Sequence, residues 1–368
     1  MSRLSGLIAT TRRPRTWLVA PALASLLLAG CGATATRSAH STSRAQGSGA
    51  AATQTTTTAT PSQALLGLQS AYVAVVHKVG PSVVQISTRQ DLGSGIIFNR
   101  QGDIVTNNHV VNGARRVTVT LANGHQYPGT VVSTFPPDDL AVIHITATGL
   151  QPAQFANSAA LQVGDIVMAI GNPLGLQSSV STGIISATGR TVSEPNGVTL
   201  PDVLQTSAAI NPGNSGGALV DLAGQVVGIP TLAALDPQLG GGQAPGIGFA
   251  IPSNVVTDIA GQIARYGRVV HSNRAYLGIE VEDVIQPNGN PGGALVVRVV
   301  SGGPAARAGL RARDIILALG QQATQSVAAL TEALAAMRPG QQVALQAEKP
   351  DGSKVTITVR LGQFPGHP

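Results

Sequence analysis

At 368 residues the chain exceeds a single domain of ordinary size, and 43% hydrophobic residues, 44 glycines and 3% aromatics favour many short strands and turns over a helical bundle. Four of the 23 basic side chains (Arg3, Arg12, Arg13, Arg15) lie at the extreme N-terminus and none of the 17 acids does, so beyond them the net charge falls from +6 to +2. No dense Lys/Arg stripe remains to read as a nucleic-acid footprint, and one cysteine excludes an intramolecular disulfide framework.

The arginines lead into an apolar run from Trp17 to Ala29, which reads as the core of an export signal covering residues 1 to 30. Its 13 residues are too few to span a bilayer as a helix. The run ends in Leu28-Ala29-Gly30-Cys31, which resembles a bacterial lipobox. That implies cleavage before Cys31 and a lipid on its sulfur, hence an exported protein held to the cell membrane outside the cytoplasm. Residues 31 to 62 are dominated by Ala, Thr, Ser, Gly and Gln and cannot bury enough apolar surface to order themselves. They read as a tether with a reach on the order of 30 Å.

From Ala64 to Lys78 the apolar spacing predicts a short amphipathic helix, ended by Gly80-Pro81. Short β-branched segments follow at Ser82 to Ser87, Gly95 to Asn99, Ile104 to Thr106, Arg116 to Leu121, Thr130 to Ser133 and Leu140 to Ile145. A second series runs from Ile166 to Ile251, with a hairpin turn at Asp221-Leu222-Ala223-Gly224 and a Gly-rich loop from Leu239 to Gly246. Two β-barrels side by side account for this spacing. A helical pattern from Val255 to Tyr266 and a polar linker, 267 to 273, then precede a further unit at 274 to 362. That unit has its own strands and a helix from Ser326 to Met337, with Ser326 as N-cap.

Amide hydrolysis at neutral pH needs a nucleophile, a base that takes and returns its proton, and an acid that fixes the base's tautomer. The chain offers one consistent set. His109 follows a strand in Thr106-Asn107-Asn108-His109-Val110-Val111, an acid opens another strand in Asp138-Asp139-Leu140-Ala141-Val142, and Ser215 sits in the Gly-rich turn Asn211-Pro212-Gly213-Asn214-Ser215-Gly216-Gly217. Gly213 to Gly217 also fits the G-x-S-x-G elbow of α/β-hydrolases. Chain order excludes that fold, because its acid and histidine follow the serine, whereas here only His271 and His367 lie downstream. A pseudo-enzyme that merely holds unfolded chains is disfavoured by the complete set.

Together with Gly93-Ser94-Gly95-Ile96-Ile97, Ile170-Gly171-Asn172-Pro173-Leu174-Gly175, Gln205 to Ile210 and Ile247-Gly248-Phe249-Ala250-Ile251-Pro252-Ser253, these motifs resemble the HtrA/Deg serine proteases in fixed order over roughly residues 64 to 362. The resemblance implies a mainly β fold, a chymotrypsin-like double β-barrel (63 to 266) followed by an α+β PDZ domain (274 to 362). It implies an ATP-independent endopeptidase of the cell envelope with His109 as base, Asp139 as its orienter, Ser215 as nucleophile, and the N–H groups of Gly213 and Ser215 as oxyanion hole. Asp139 is preferred to Asp138 because the family's acid stands directly before the Leu-Ala-Val strand. No metal and no cofactor is implied.

The substrate pocket is expected at Ile210 and at Ile229-Pro230-Thr231. No acid stands there, so small or medium apolar side chains should enter, and Lys or Arg would be desolvated without a partner. Three positions depart from family or digestive patterns. Asn214 precedes the nucleophile where digestive trypsins have aspartate, Pro230 lacks the N–H usually offered there, and Ser207 replaces a usual aspartate. Tyr276-Leu277-Gly278-Ile279 matches the carboxylate-binding loop of a PDZ domain, implying capture of C-terminal peptides. Unfolded proteins are the implied substrates and a homotrimer the implied assembly. The short connection Thr88 to Leu92 argues against cages built from a long loop there.

Overall fold

A computed structural model of the protein describes residues 63–172, 179–193, 198–211, 213–236 and 242–366. The export signal, the tether and Cys31 lie outside the described residues, as do Pro212, Pro173-Leu174-Gly175 and residues 239–241 of the loop expected at Leu239 to Gly246, whose remainder, from Gly242, is not loop but the start of a strand.

Helix α1 (Gln63–Val79) opens the described chain and buries Val75 and Val79, its neighbours on one face at i and i+4. The strands β1 (Val83–Ser87), β2 (Leu92–Ile97), β3 (Asp103–Asn107), β4 (Arg116–Thr120), β5 (Gln126–Phe135) and β6 (Leu140–His144) close into a barrel in the order β1-β2-β3-β6-β5-β4. A single turn of helix, α2 (Asn108–Val111), interrupts the chain between β3 and β4. The second barrel contains β7 (Ile166–Gly171), β8 (Ser179–Ser193), β9 (Thr199–Thr206), β10 (Ala218–Val220), β11 (Val226–Asp236) and β12 (Gly242–Pro252), in the order β10-β11-β12-β9-β8-β7. The double barrel expected from strand spacing is therefore present.

Alternation along the strands explains why both barrels and the space between them are filled. In the first barrel Val84, Ile86, Ile104, Ala141 and Ile143 point inward, while the intervening Val83, Val105, Leu140 and Val142 join Met168, Ile170, Val220 and Ile229 in a core between the barrels. Strands buried on both faces read as continuous apolar runs, which is why these segments show so little polar alternation. Helix α3 (Ser253–Tyr266) closes the same seam with Val256, Ile259, Ala260 and Ile263, a spacing of one helical face, and stops at Gly267 in a left-handed conformation.

The segment expected as a linker packs against α3. Val269 is buried in the seam core, and the Gln262 side chain bonds both the N–H and the carbonyl of His271. Beyond it, β13 (Ala275–Tyr276) pairs with β20 (Gly362–Gln363), and β14 (Ile279–Ile285), β15 (Pro291–Val299), β16 (Ile315–Leu319), β18 (Gln342–Glu348) and β19 (Lys354–Arg360) form a sheet in that order, with β17 (Gln322–Ala323) beside β16. Two helices, α4 (Pro304–Arg307) and α5 (Val327–Ala335), complete the unit. Leu330 and Ala333 of α5 pack on Val296, Ile316 and Leu345, and Ser326 caps the helix by accepting from the Ala329 N–H at 3.1 Å.

Candidate active site

The first half of the site is assembled where β3, α2 and the start of β6 meet. Asn107 pairs with Leu140 in the β3–β6 ladder, so the residues flanking those two, His109 and Asp139, are brought to one edge. Asp139 is held in a left-handed backbone conformation (φ +48°) and is almost completely buried. Its carbonyl accepts from the Asn108 N–H and from Asn107 Nδ2. Its carboxylate accepts from the His109 N–H at 2.9 Å, from His109 Nδ1 at 2.8 Å and from Thr231 Oγ1 at 2.6 Å. An ionised carboxylate only accepts, so this geometry assigns the proton of a neutral imidazole to Nδ1 and leaves Nε2 as the acceptor.

Asp138, the neighbouring acid, is turned to a different task. Its carboxylate pairs with Arg274, whose Nε lies 2.7 Å from Oδ1 and whose Nη2 also donates to the carbonyls of Pro137 and, at 3.4 Å, Thr199. Burial pushes the Asp138 carboxyl above the usual range, and the Arg274 guanidinium pulls it part of the way back.

The loop of Ser215, the expected nucleophile, supplies the second half. Ser215 Oγ donates to the Thr231 carbonyl at 3.2 Å. Thr231 thus touches the acid through its hydroxyl and the serine through its carbonyl. It can do both because the β11–β12 register shifts between Pro230 and Leu232, leaving Thr231 as the extra residue of a bulge that re-aims its side chain. The bulge also accommodates Pro230, whose missing N–H a regular inner strand would need, while its carbonyl accepts from Gly216. The bridging role of Thr231 is not readable from the sequence, where the residue falls only on the expected pocket wall. A hydroxyl beside a proline in a strand paired near the nucleophile is the one signal available there.

The remaining candidates are distributed as follows. Gly213 has φ +104°, open in practice only to glycine. Ile210 is buried over Gly248, where an added Cβ would lie 2.3 Å from its Cγ1, and Ile229 is fully buried in the core between the barrels. Asn214 closes its own loop, its Nδ2 bonding the Ala209 carbonyl and its Oδ1 accepting from the Asn211 N–H. Ser207 stitches β9 to β8, its Oγ accepting from the Ile184 N–H at 3.0 Å. Away from this constellation, Leu277 is buried, Gly278 is left-handed (φ +77°), and Ile279 begins β14, the edge strand of its sheet. Tyr276 stacks edge-on against Phe364, which in turn meets Phe135.

Family models match twice: a trypsin-like peptidase domain over residues 93–229 and a PDZ domain over residues 275–361. The serine endoprotease DegS of Escherichia coli (strain K12) is 36% identical over 315 residues, covering 80% of this chain and 87% of that protein. The chain belongs to the HtrA-type serine endoproteases. Another relative is the serine protease PepD of Mycobacterium tuberculosis, 39% identical over 78% of this chain and 65% of PepD. A probable periplasmic DegP-like serine endoprotease of Chlamydia trachomatis is 41% identical over 74% of this chain and 54% of that protein, so this HtrA-type chain spans about half the length of the DegP-like relatives it matches. Among solved structures, the HtrA-type protease AlgW with a decapeptide superposes with a TM-score of 0.55 at 34% identity, covering 80% of this chain and 99% of AlgW.

Proposed function

We propose that the protein is an exported endopeptidase in which His109, Asp139 and Ser215 act as the catalytic triad. The observation that carries this reading is the Asp139 carboxylate, buried and bonded at once to the ring and backbone of His109 and to Thr231, which also receives the Ser215 hydroxyl. In the reaction Ser215 Oγ attacks the scissile carbonyl carbon while His109 Nε2 takes its proton. The tetrahedral oxyanion is met by the N–H groups of Gly213 and Ser215. Collapse breaks the C–N bond, His109 returns the proton to the leaving amine, and water repeats the sequence on the acyl-enzyme.

A hydroxyl has one proton, so the bond from Ser215 to the Thr231 carbonyl must be given up before His109 can receive it. Rearrangement of the loops around the site is the proposed route of activation. Pro230 and Thr231 meet the Ser215–Gly216 segment through their carbonyls, and neither they nor Ile210 and Ile229 carry charge, which supports cleavage after small or medium apolar residues of unfolded proteins. The free edge of β14 beside α5 supports strand addition by C-terminal peptides at Tyr276 to Ile279. Relatives described as periplasmic support export, and Cys31 is the proposed lipid anchor. No helix among the described residues is long and apolar enough to cross a membrane. Homotrimeric assembly is part of the same proposal.

Ser215→Ala tests the reading. Proteolysis of an unfolded protein should fall by on the order of 10⁶-fold while binding of that protein persists. Cleavage by the variant at a rate near that of the unaltered enzyme would overturn the assignment.

A further inference from the structure

Ser94 is completely buried in β2 of the first barrel, yet its N–H and its hydroxyl are spent on the second. Its N–H donates to the Ser215 carbonyl at 2.9 Å, and its Oγ donates to the Gly213 carbonyl at 2.5 Å. The same Oγ accepts from the Asn172 N–H at 2.8 Å, just past the end of β7, and the Ser94 carbonyl accepts from Thr106 Oγ1 at 2.7 Å.

A peptide unit is a rigid plane, so fixing its carbonyl also aims the N–H on its other side. Three successive planes flank the nucleophile. The plane joining Gly213 to Asn214 is held by Ser94 Oγ at its oxygen and by the Asn211 carbonyl at its N–H. The plane joining Asn214 to Ser215 is held at its oxygen by the Gly217 N–H. The plane joining Ser215 to Gly216 is held by the Ser94 N–H at its oxygen and by the Pro230 carbonyl at its N–H. Ser94 therefore holds both outer planes, and the middle one carries the Ser215 N–H. Close approach leaves the loop nowhere else to rest: a Cβ at Gly171 would meet Asn214 at 2.6 Å, and one at Gly216 would meet the Ser94 carbonyl at 2.3 Å.

We infer that Ser94 is a positioning residue for the oxyanion hole, acting through its hydroxyl, which takes one hydrogen bond from Asn172 and gives one to Gly213. The inference rests on the triad and oxyanion assignment above. An alanine there leaves a buried N–H and a buried carbonyl unpaired and frees the Gly213–Asn214 plane to turn, while the wall of the substrate pocket is untouched.

The test uses the full chain, a chromogenic peptide with an apolar cleaved residue, and a peptidyl boronic acid whose adduct places an oxygen in the oxyanion hole. For Ser94→Ala, kcat should fall about 10- to 100-fold, below the 10² to 10³ expected for deleting a donor outright, with KM within about twofold. Boronate affinity should fall in step with kcat/KM, and peptide affinity measured in the Ser215→Ala background should be unchanged by adding Ser94→Ala. Ser94→Thr, which keeps the hydroxyl, should restore most of kcat. Ser253→Ala serves as the control, because Ser253 is equally buried and donates to the Ala156 carbonyl at 2.7 Å away from the site. It should lower the melting temperature and leave kcat alone. If Ser94→Ala behaves as Ser253→Ala does, the inference is overturned. Should the alanine variant not fold, Ser94→Cys, a poorer donor of similar size, takes its place: an intermediate kcat supports the inference and an unaltered kcat overturns it. Undiminished cleavage by Ser215→Ala would instead overturn the triad reading, and this inference with it.

Discussion

The two barrels share an architecture and differ in regularity. The first has strands of five to ten residues, one register shift, between β5 and β6, and an interior of fully buried β-branched side chains such as Ile86, Ile104, Val119 and Ile143. The second is built around β8, 15 residues long, and its β8–β9 and β11–β12 pairings each slip repeatedly, with Val180 and Ile184 left substantially exposed. The proposed acid and base come from the regular barrel, the proposed nucleophile and pocket residues from the irregular one. Positional precision for a proton relay is drawn from rigid ladders, whereas a surface that must receive a peptide strand is drawn from bulged ones.

The largest way to break this division is at the acid. Asp139→Asn should keep the fold but present the wrong imidazole tautomer, lowering kcat on a chromogenic peptide by about 10⁴-fold; a loss under tenfold would show that the regular barrel does not supply the relay.

Next comes the tie between the barrels. Arg274→Ala removes the partner of buried Asp138 and the contacts to Pro137 and Thr199, so chemical denaturation should register a loss of about 3 to 5 kcal/mol. The pH dependence has a definite sign. Because burial raises the folded-state Asp138 carboxyl above its ordinary 3.8, its contribution to stability is present below that value and fades as pH rises through the folded value. Without Arg274 the carboxyl rises further, so the deficit should be greater at pH 8 than at pH 4. A deficit independent of pH would remove Asp138 from the explanation.

Matched isoleucines sharpen the contrast. Ile143→Ala, in the sealed interior of the first barrel, should cost about 2 to 5 kcal/mol, and Ile184→Ala, 41% exposed on β8, under about 0.5 kcal/mol by thermal unfolding. Equal losses would erase the difference between the barrels. Among the effects on catalysis the smallest is at the bridge. Thr231→Val deletes one of three donors to Asp139 and should lower kcat about tenfold with KM nearly constant, and Thr231→Ser should recover it.

Legibility in the sequence follows the same division. The first barrel's strands announce themselves because β-branched runs and turns such as Ala122-Asn123-Gly124 alternate cleanly, although β5 extends from Gln126 to Phe135, well beyond the expected Thr130 to Ser133. Strand β8 has no clean alternation, since its 15 residues include Gly183 and Gly189 and face solvent for much of their length. The joining of His109 to Asp139 can be anticipated from motif order, but the hydroxyl of Thr231 cannot. It reaches Asp139 across 92 positions of chain, and only a register shift points it there. Arg274 is hidden for a related reason: at the end of a polar stretch a charged residue reads as solvated, and only the fold supplies Asp138 as its partner.

Arg274 also sets a mechanical path. Ser272 Oγ bonds the Phe364 carbonyl and the Phe364 N–H bonds the Arg274 carbonyl, so the entry and exit strands of the C-terminal unit are fastened at one point. From that point the Arg274 side chain runs straight to Pro137 and Asp138, one residue from the proposed catalytic acid. Tension applied at Phe364, for instance in an optical trap, therefore reaches the turn that holds Asp139 by this side-chain path as well as through the covalent linker.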